Sequence, residues 1–285
     1  MKELILKYYY LTKPGIIYGN VLTVLAGYFF GSNWNIQLSK FILVILGSSL
    51  VIGSAGVFNN LVDRSIDKNM QRTKNRASVL GTISIFNGIF YGIILGLVGF
   101  LLLAFLSRLV FILGLIGFLD YIVLYGYFKR KSIYGTLVGS ISGSIPLVSG
   151  YVAYTNSLNF SFWILFLIMT TWQMAHFFGI GIYRLSDYKK ANIPLLPVVK
   201  GIYRTKVEIN VYIVLFLILN IILFISQKLS IFYLIVVLIF SIIWLIKALG
   251  GFNAKNNKSW GRLIFKQSLI VIMVFSIMLS IAKLI

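Results

Sequence analysis

Two aspartates and an asparagine recur at four-residue intervals in the polar stretch after the second long apolar run. On a helix, Asn59, Asp63 and Asp67 would share one face, each about one turn beyond the last. Carboxylate and amide oxygens are hard ligands that suit Mg²⁺. The spacing therefore predicts a magnesium site with oxygen ligands. The alternative is a solvated loop between two membrane helices.

Basic residues accompany this acidic set. Lys68, Arg72 and Arg76 repeat the same spacing and predict a basic row beside the acidic face. Cations next to a metal suit a phosphate or diphosphate. The alternative is that these residues only obey the positive-inside rule of membrane topology.

The composition is that of a membrane protein. Of 285 residues, 59% are hydrophobic and 11% are charged, whereas soluble domains are about 45–50% apolar and about 25% charged. No polar stretch is long enough for a soluble domain, so residues 1–285 are read as one integral membrane domain. The absence of cysteine excludes disulfides and thiolate metal sites.

Apolar runs of about 20 residues predict membrane-spanning helices. We predict an all-α, polytopic membrane protein whose nine transmembrane helices surround a central cavity capped by cytoplasmic loops. A turn at Ser107 and Arg108 divides a run that is too long for one span. The predicted spans are residues 15–32, 41–61, 84–106, 109–127, 137–154, 161–182, 208–226, 231–249 and 264–284.

The distribution of basic residues predicts the orientation. With these spans, only four of the 26 lysines and arginines lie on one face, namely Lys40, Arg108, Lys228 and Lys283. The rule that cytoplasmic loops are rich in Lys and Arg places the N-terminus in the cytoplasm and the C-terminus outside. Topology and anionic lipid explain the net charge of +20, so the bilayer is a predicted partner and nucleic acid is not.

The spans also contain candidate functional and packing residues. Asp120 is a charge inside the fourth span and is a functional candidate by default. His176, the single histidine, lies in the sixth span and is either a hydrogen-bonded interior residue, a haem ligand or a proton-transfer group. Gly15 and Gly19 predict a close helix approach in the first span.

A second charged loop, residues 183–206, lies on the same face as the first. It contains Asp187 and Lys190 among further basic residues. Two charged loops on one face would cap a single cavity.

At these residues the chain resembles the intramembrane aromatic prenyltransferase superfamily, whose signature of one Asn and two Asp at four-residue spacing is met by Asn59, Asp63 and Asp67. More closely, it resembles the haem O synthase branch. That likeness rests on five stretches in the same order through most of the first 205 residues: LTKPGI (11–16), NNLVDRSIDKNMQRTKNR (59–76), YGTLVGSISG (134–143), WQMAHFFGI (172–180) and DYKKANIPLLPVVKGI (187–202).

The chain departs from the family pattern at a few positions. Ser65 stands where the branch usually has an acid, Ala175 where it commonly has Pro, and Leu195 where it has Met. The wider superfamily often has two aspartates in the second loop, whereas here Asp187 is followed four residues later by Ala191. This last departure is typical of the haem branch and leaves a second metal open.

The resemblance implies an Mg²⁺-dependent enzyme that transfers farnesyl from farnesyl diphosphate to a vinyl group of haem B, with addition of water, to give haem O. Asn59, Asp63 and Asp67 would hold the metal, and His176 would contact haem through the iron or a propionate. The group expected to bind the diphosphate is Lys68, Arg72, Lys74, Arg76, Asp187 and Lys190. The implied location is a bacterial cytoplasmic membrane, and the implied recipient is a haem-copper terminal oxidase or a further haem-modifying enzyme.

Two other functions stay open at this point. A related enzyme would prenylate 4-hydroxybenzoate or another quinone precursor with the same metal and donor. A transporter would instead use Asp63 and Asp67 at an ion entrance, although transporters more often place charge at the membrane midplane.

Overall fold

The structure, a computed structural model, describes residues 2–284. Its regular structure there is helical. In chain order the α-helices are α1 (Lys2–Leu11), α2 (Pro14–Ser32), α3 (Leu38–Val62), α4 (Arg64–Asp67), α5 (Ala77–Leu80), α6 (Ile85–Leu106), α7 (Arg108–Leu119), α8 (Tyr125–Lys131), α9 (Gly135–Thr155), α10 (Phe160–Tyr183), α11 (Leu185–Lys190), α12 (Leu196–Val199), α13 (Gly201–Gln227), α14 (Ile231–Leu249) and α15 (Asn257–Ile281).

Nine candidate membrane spans are found among residues 2–284, as the sequence predicts. The fourth span, Arg108–Lys131, joins α7 to α8 through the π-helical segment Asp120–Leu124. The predicted turn before it is also confirmed, because Ser107 is extended and its hydroxyl accepts from the Leu109 amide at 3.2 Å. The extended Ser107 therefore ends α6, and its hydroxyl caps the start of α7, the next span.

The seventh and ninth spans begin earlier than predicted. Helix α13 begins at Gly201 and α15 at Asn257, whereas apolar character begins near residues 208 and 264. The extra turns are polar but helical, and the Arg204–Glu208 ion pair has the four-residue spacing that supports a helix. Hydropathy marks the apolar part of a span and misses such polar turns.

Contacts between the spans form two linked groups. In the first, α2, α3, α6, α7 and α9 contact one another in succession, and α9 returns to α2. In the second, α9 leads through α10, α13, α14 and α15, and α15 returns to α2. Helices α2 and α9 therefore join the two groups.

Helices α2 and α9 approach each other closely at two glycines. A Cβ at Gly27 would meet the Leu147 carbonyl, and one at Gly150 would meet the Val24 carbonyl. The predicted approach at Gly15 and Gly19 is wrong, because a Cβ at either would meet nothing within 4 Å. Helix α2 instead approaches α9 about two turns beyond Gly19, at Gly27, where the absence of a side chain lets the two backbones meet.

Candidate active site

Helix α3 ends in the predicted acidic set, but not as one continuous helix. The α-helix is interrupted at Asp63 (φ −84°, ψ 3°) and resumes as the short α4, which ends at Asp67. Four-residue backbone bonds continue through the interruption, from Asp63 N to Asn59 O (2.9 Å) and from Asp67 N to Asp63 O (2.8 Å). All three side chains are buried, so the predicted common face is kept.

Each of these three side chains bonds to its own cation. The Lys13 ammonium donates to Asn59 Oδ1, and the Lys129 ammonium donates to Asp63 Oδ2. Arg76 Nη1 donates to Asp67 Oδ2 at 2.6 Å. A fourth cation shares Asp63, since Arg130 Nη2 lies 3.1 Å from Oδ1. We call Lys13, Arg76, Lys129 and Arg130 the cation set.

The connection between α1 and α2 brings Lys13 to this site. Its backbone is left-handed (φ 58°, ψ 62°), which is uncommon for lysine. The Asn60 amide holds the connection by donating to the Leu11 carbonyl at 2.8 Å. Gly56 allows the close approach, because a Cβ there would lie 2.6 Å from the Thr12 carbonyl. Burial lowers the pKa of Lys13 to about 7; Arg76 adds to this effect, and the two aspartates oppose it.

Asn60 also accepts from Arg76, at 2.9 Å between Oδ1 and Nη1. The Asn60 side chain therefore positions Arg76 directly and supports the backbone that carries Lys13. Replacing Asn60 by alanine should cost about 1–3 kcal/mol of stability, since a buried carbonyl and a guanidinium each lose a partner, and should also reduce activity.

The measurement for this prediction is thermal unfolding of the purified protein with and without inorganic pyrophosphate. The matched control is Asn69→Ala, because Asn69 is exposed and its side chain makes no hydrogen bond within residues 2–284. Equal unfolding temperatures for the two variants would show that Asn60 does not organise the site.

The basic residues after α4 do not form the predicted helical row. The helix ends at Asp67 and residues 68–76 are turns, so this part of the prediction is wrong. Arg76 reaches the acidic set. Lys68 and Lys74 are exposed and line a different hollow of about 590 Å³, together with Arg64 and the apolar Leu80.

The second loop approaches the first through Tyr188 of α11. Burial raises the pKa of the Tyr188 phenol, and the positive charge of Arg72 opposes the rise. Arg72 of the first loop therefore lies near Tyr188 of the second. Asp187 is half-buried and Lys190 is exposed, and neither forms an ion pair within the described part of the chain.

Two tyrosines of the fourth span line the same site and were not predicted. The Tyr121 and Tyr125 rings are stacked with centroids 5.6 Å apart. The Lys13 ammonium lies 5.9 Å from the Tyr121 ring centre, and that of Lys129 lies 5.1 Å from the Tyr125 ring centre. The available signal was the four-residue spacing of the two tyrosines ahead of Lys129 and Arg130.

His176 lies apart from the acidic set, between α10 and α15. It is buried and stacks on Trp172, with ring centres 4.7 Å apart. Its Nδ1 lies 2.7 Å from Ser268 Oγ. It precedes the end of α10 by seven residues, which places it about 10 Å along the helix axis from that end.

Asp120 is also separate from the acidic set. It begins the π-helical segment, and its Oδ2 accepts from the Ser142 amide at 3.1 Å. Its Oδ1 is buried and has no partner within residues 2–284. Asp120 therefore lies within the fourth span, as predicted, and is hydrogen-bonded to α9.

Nine candidate spans within residues 2–284, with a buried set of acids and cations at one end, are typical of a class of membrane enzyme, the intramembrane prenyltransferases. The sequence model of the UbiA prenyltransferase family matches residues 20–270. The chain belongs to this family.

Within the family, the chain is similar to the Protoheme IX farnesyltransferase of Yersinia pseudotuberculosis serotype O:1b (strain IP 31758). The two are 44% identical over 280 residues, which cover 98% of this chain and 95% of the relative.

Solved structures share the fold at lower identity. Digeranylgeranylglyceryl phosphate synthase superposes with a TM-score of 0.82 and 21% identity, over 99% of both chains. A UbiA homolog from Archaeoglobus fulgidus, bound to DMAPP and Mg²⁺, gives 0.73 and 17%, over 93% of this chain and 99% of that one.

Proposed function

We propose that this chain is a protohaem IX farnesyltransferase, which converts haem B and farnesyl diphosphate into haem O and diphosphate. The observation that carries the proposal is the 44% identity over 98% of the chain to a relative of that activity. The acid and cation set at the end of α3 supplies the chemistry that such a transfer needs.

The reaction breaks the bond between farnesyl C1 and the diphosphate oxygen, and the bonding electrons leave with the diphosphate. The terminal carbon of a haem vinyl group bonds to C1. Water then adds to the inner vinyl carbon and loses a proton, leaving a hydroxyl group. The protein must therefore stabilise negative charge on the leaving group and hold the allylic cation away from other nucleophiles.

The donor set fits Mg²⁺. No cluster of three or more His, Cys, Asp or Glu side chains occurs within residues 2–284, but Mg²⁺ commonly uses only one or two carboxylates and completes its shell with substrate phosphates and water. Asp63, Asp67 and Asn59 would hold the ion. Bound there, Mg²⁺ would neutralise charge developing on the diphosphate.

The cation set and Arg72 would bind the diphosphate oxygens. Charge-assisted hydrogen bonds from lysine and arginine stabilise this group increasingly as it departs. Lys68, Lys74, Asp187 and Lys190 remain predicted diphosphate ligands, although the first two line the separate hollow. The faces of Tyr121 and Tyr125 would stabilise the farnesyl cation by cation–π attraction.

His176 is proposed to ligate the haem iron rather than to hold a propionate. Ser268 Oγ has one proton, which it donates to the Phe265 carbonyl at 2.6 Å. The 2.7 Å bond from His176 therefore requires that Nδ1 carries the proton and Ser268 accepts it. Nε2 is left with a lone pair, which suits a metal and does not suit a carboxylate.

Replacing His176 by alanine should weaken haem B binding at least about tenfold, because the axial ligand is lost. The measurement is a titration of the purified protein with haem B, followed by the Soret band. Asp63→Asn is the control and should keep its haem affinity. An unchanged affinity in His176→Ala would remove this residue from the haem site.

We further propose that the N-terminus lies in the cytoplasm of a bacterial cell and that the transfer site faces the cytoplasm. The basic loops that contain the cation set support this orientation. Haem O would pass to a terminal oxidase or to a further haem-modifying enzyme.

The test of the proposed function is a choice of acceptors. Membranes containing the chain are supplied with farnesyl diphosphate, Mg²⁺ and either haem B or 4-hydroxybenzoate, and the products are read by mass spectrometry. We expect a farnesylated product with haem B alone. Product with 4-hydroxybenzoate alone would keep the family and overturn the acceptor.

A further inference from the structure

The cation set has a feature that the transfer reaction does not by itself require. Each oxygen-bearing side chain assigned to the metal bonds directly to at least one member of the set, and Asp63 bonds to two. The pairs are Lys13 with Asn59, Lys129 with Asp63, and Arg76 with Asp67. Asp63 and Asp67 are both buried, as is Lys129, so water cannot readily replace these partners.

The charges in this cluster are unequal. Three cations, Arg76, Lys129 and Arg130, contact only two carboxylates. A divalent cation that approached alone would enter a site with an excess of positive charge and would compete for occupied oxygens. A diphosphate that approached alone would compete for cations already bonded to carboxylates.

We propose that these pairs exchange partners when the metal and diphosphate bind together. The oxygens of Asn59, Asp63 and Asp67 turn to the metal, while the ammonium and guanidinium groups turn to the diphosphate. This inference rests on the proposed function and adds a mode of substrate recognition to it. The protein binds a metal diphosphate as a unit, and each component binds poorly without the other.

Such an exchange is a thermodynamic coupling, and coupling is reciprocal. Diphosphate should raise metal affinity by the same factor by which metal raises diphosphate affinity. Couplings of this kind are typically about 5- to 150-fold. We expect a value at the upper end, since three pairs exchange at once.

The exchange predicts an unusual direction for one substitution. Lys129→Met removes a cation that competes with the metal for Asp63, so the metal should bind several-fold more tightly in the absence of diphosphate. The same change removes a diphosphate ligand, so the coupling should shrink. Arg130 still contacts Asp63 in this variant and keeps the carboxylate paired.

The experiment counts protein-bound Mn²⁺, which accepts the oxygen ligands that Mg²⁺ uses. Purified full-length protein is dialysed to equilibrium against buffers of matched free Mn²⁺, with or without inorganic pyrophosphate. The control is Lys131→Met, which removes the same charge two residues further along the chain. The Lys131 side chain is exposed and, within the described residues, makes no ion pair with the acidic set. Arg76→Met repeats the test at Asp67 if Lys129→Met does not fold.

For wild-type protein, pyrophosphate should increase Mn²⁺ affinity on the order of 100-fold, and Lys131→Met should behave the same way. Lys129→Met should bind Mn²⁺ more tightly than wild type without pyrophosphate and respond less to pyrophosphate. Equal or weaker Mn²⁺ binding by Lys129→Met would overturn the exchange. Failure of the proposed function is distinct, since it would appear as coupled Mn²⁺ binding without farnesyl transfer to haem.

Discussion

Replacing Asp63 by asparagine should lower haem farnesylation by about 100- to 1,000-fold, the range seen when one group that stabilises developing charge is removed. The side chain keeps its size but loses the charge that binds Mg²⁺ and pairs with Lys129 and Arg130. Asp67→Asn should have a similar effect through Arg76. The measurement is haem O formed per milligram of inserted protein.

The control for the two aspartate substitutions is Glu208→Gln. Glu208 is an acid near the N-terminal end of α13, and within residues 2–284 its one ion pair is with the exposed Arg204. Its loss should change activity less than about twofold, since exposed ion pairs contribute little to stability and Glu208 pairs with a residue outside the cation set. Wild-type rates from both aspartate variants would contradict the metal assignment.

Replacing Gly150 by alanine should destabilise the folded protein by about 1–3 kcal/mol or more, because a side chain is forced into a packed interface. The added Cβ would meet the Val24 carbonyl and would lie 2.9 Å from the Tyr28 amide nitrogen. Both atoms belong to the backbone of α2 and cannot turn aside. The measurement is the midpoint of thermal unfolding in detergent.

Gly19→Ala is the matched control within α2. A Cβ at Gly19 would meet nothing within 4 Å, and alanine is favoured over glycine in a helix interior by about 0.5–1 kcal/mol. We therefore expect opposite signs from two identical chemical changes. Equal midpoints would show that α2 and α9 separate without cost.

The number of spans and the face that carries the site could be predicted from sequence. Each span is an apolar run of nearly the right length, and basic residues accumulate on one face. The starts of α13 and α15 could not, because their first turns are polar and apolar character marks only the part within hydrocarbon. The acidic face was predicted because four-residue spacing survives the interruption at Asp63.

The partners of the acidic set could not be predicted in the same way. Lys13 and Lys129 lie far from Asp63 in the chain, so only the packing of α2 and α8 beside α3 brings them together. The predicted row of Lys68, Arg72 and Arg76 assumed that the helix continued. Periodicity describes neighbours along one helix and carries no information about side chains that arrive from other helices.

The most direct test of haem farnesylation by this protein follows the oxygen that is added to the product. Purified protein is supplied with haem B, farnesyl diphosphate and Mg²⁺ in ¹⁸O-labelled water, and the extracted haem is analysed by mass spectrometry. We predict haem B plus one farnesyl group and one ¹⁸O hydroxyl, with the product lost in Asp63→Asn. Unmodified haem B from correctly inserted protein, in the presence of both substrates, would contradict the account.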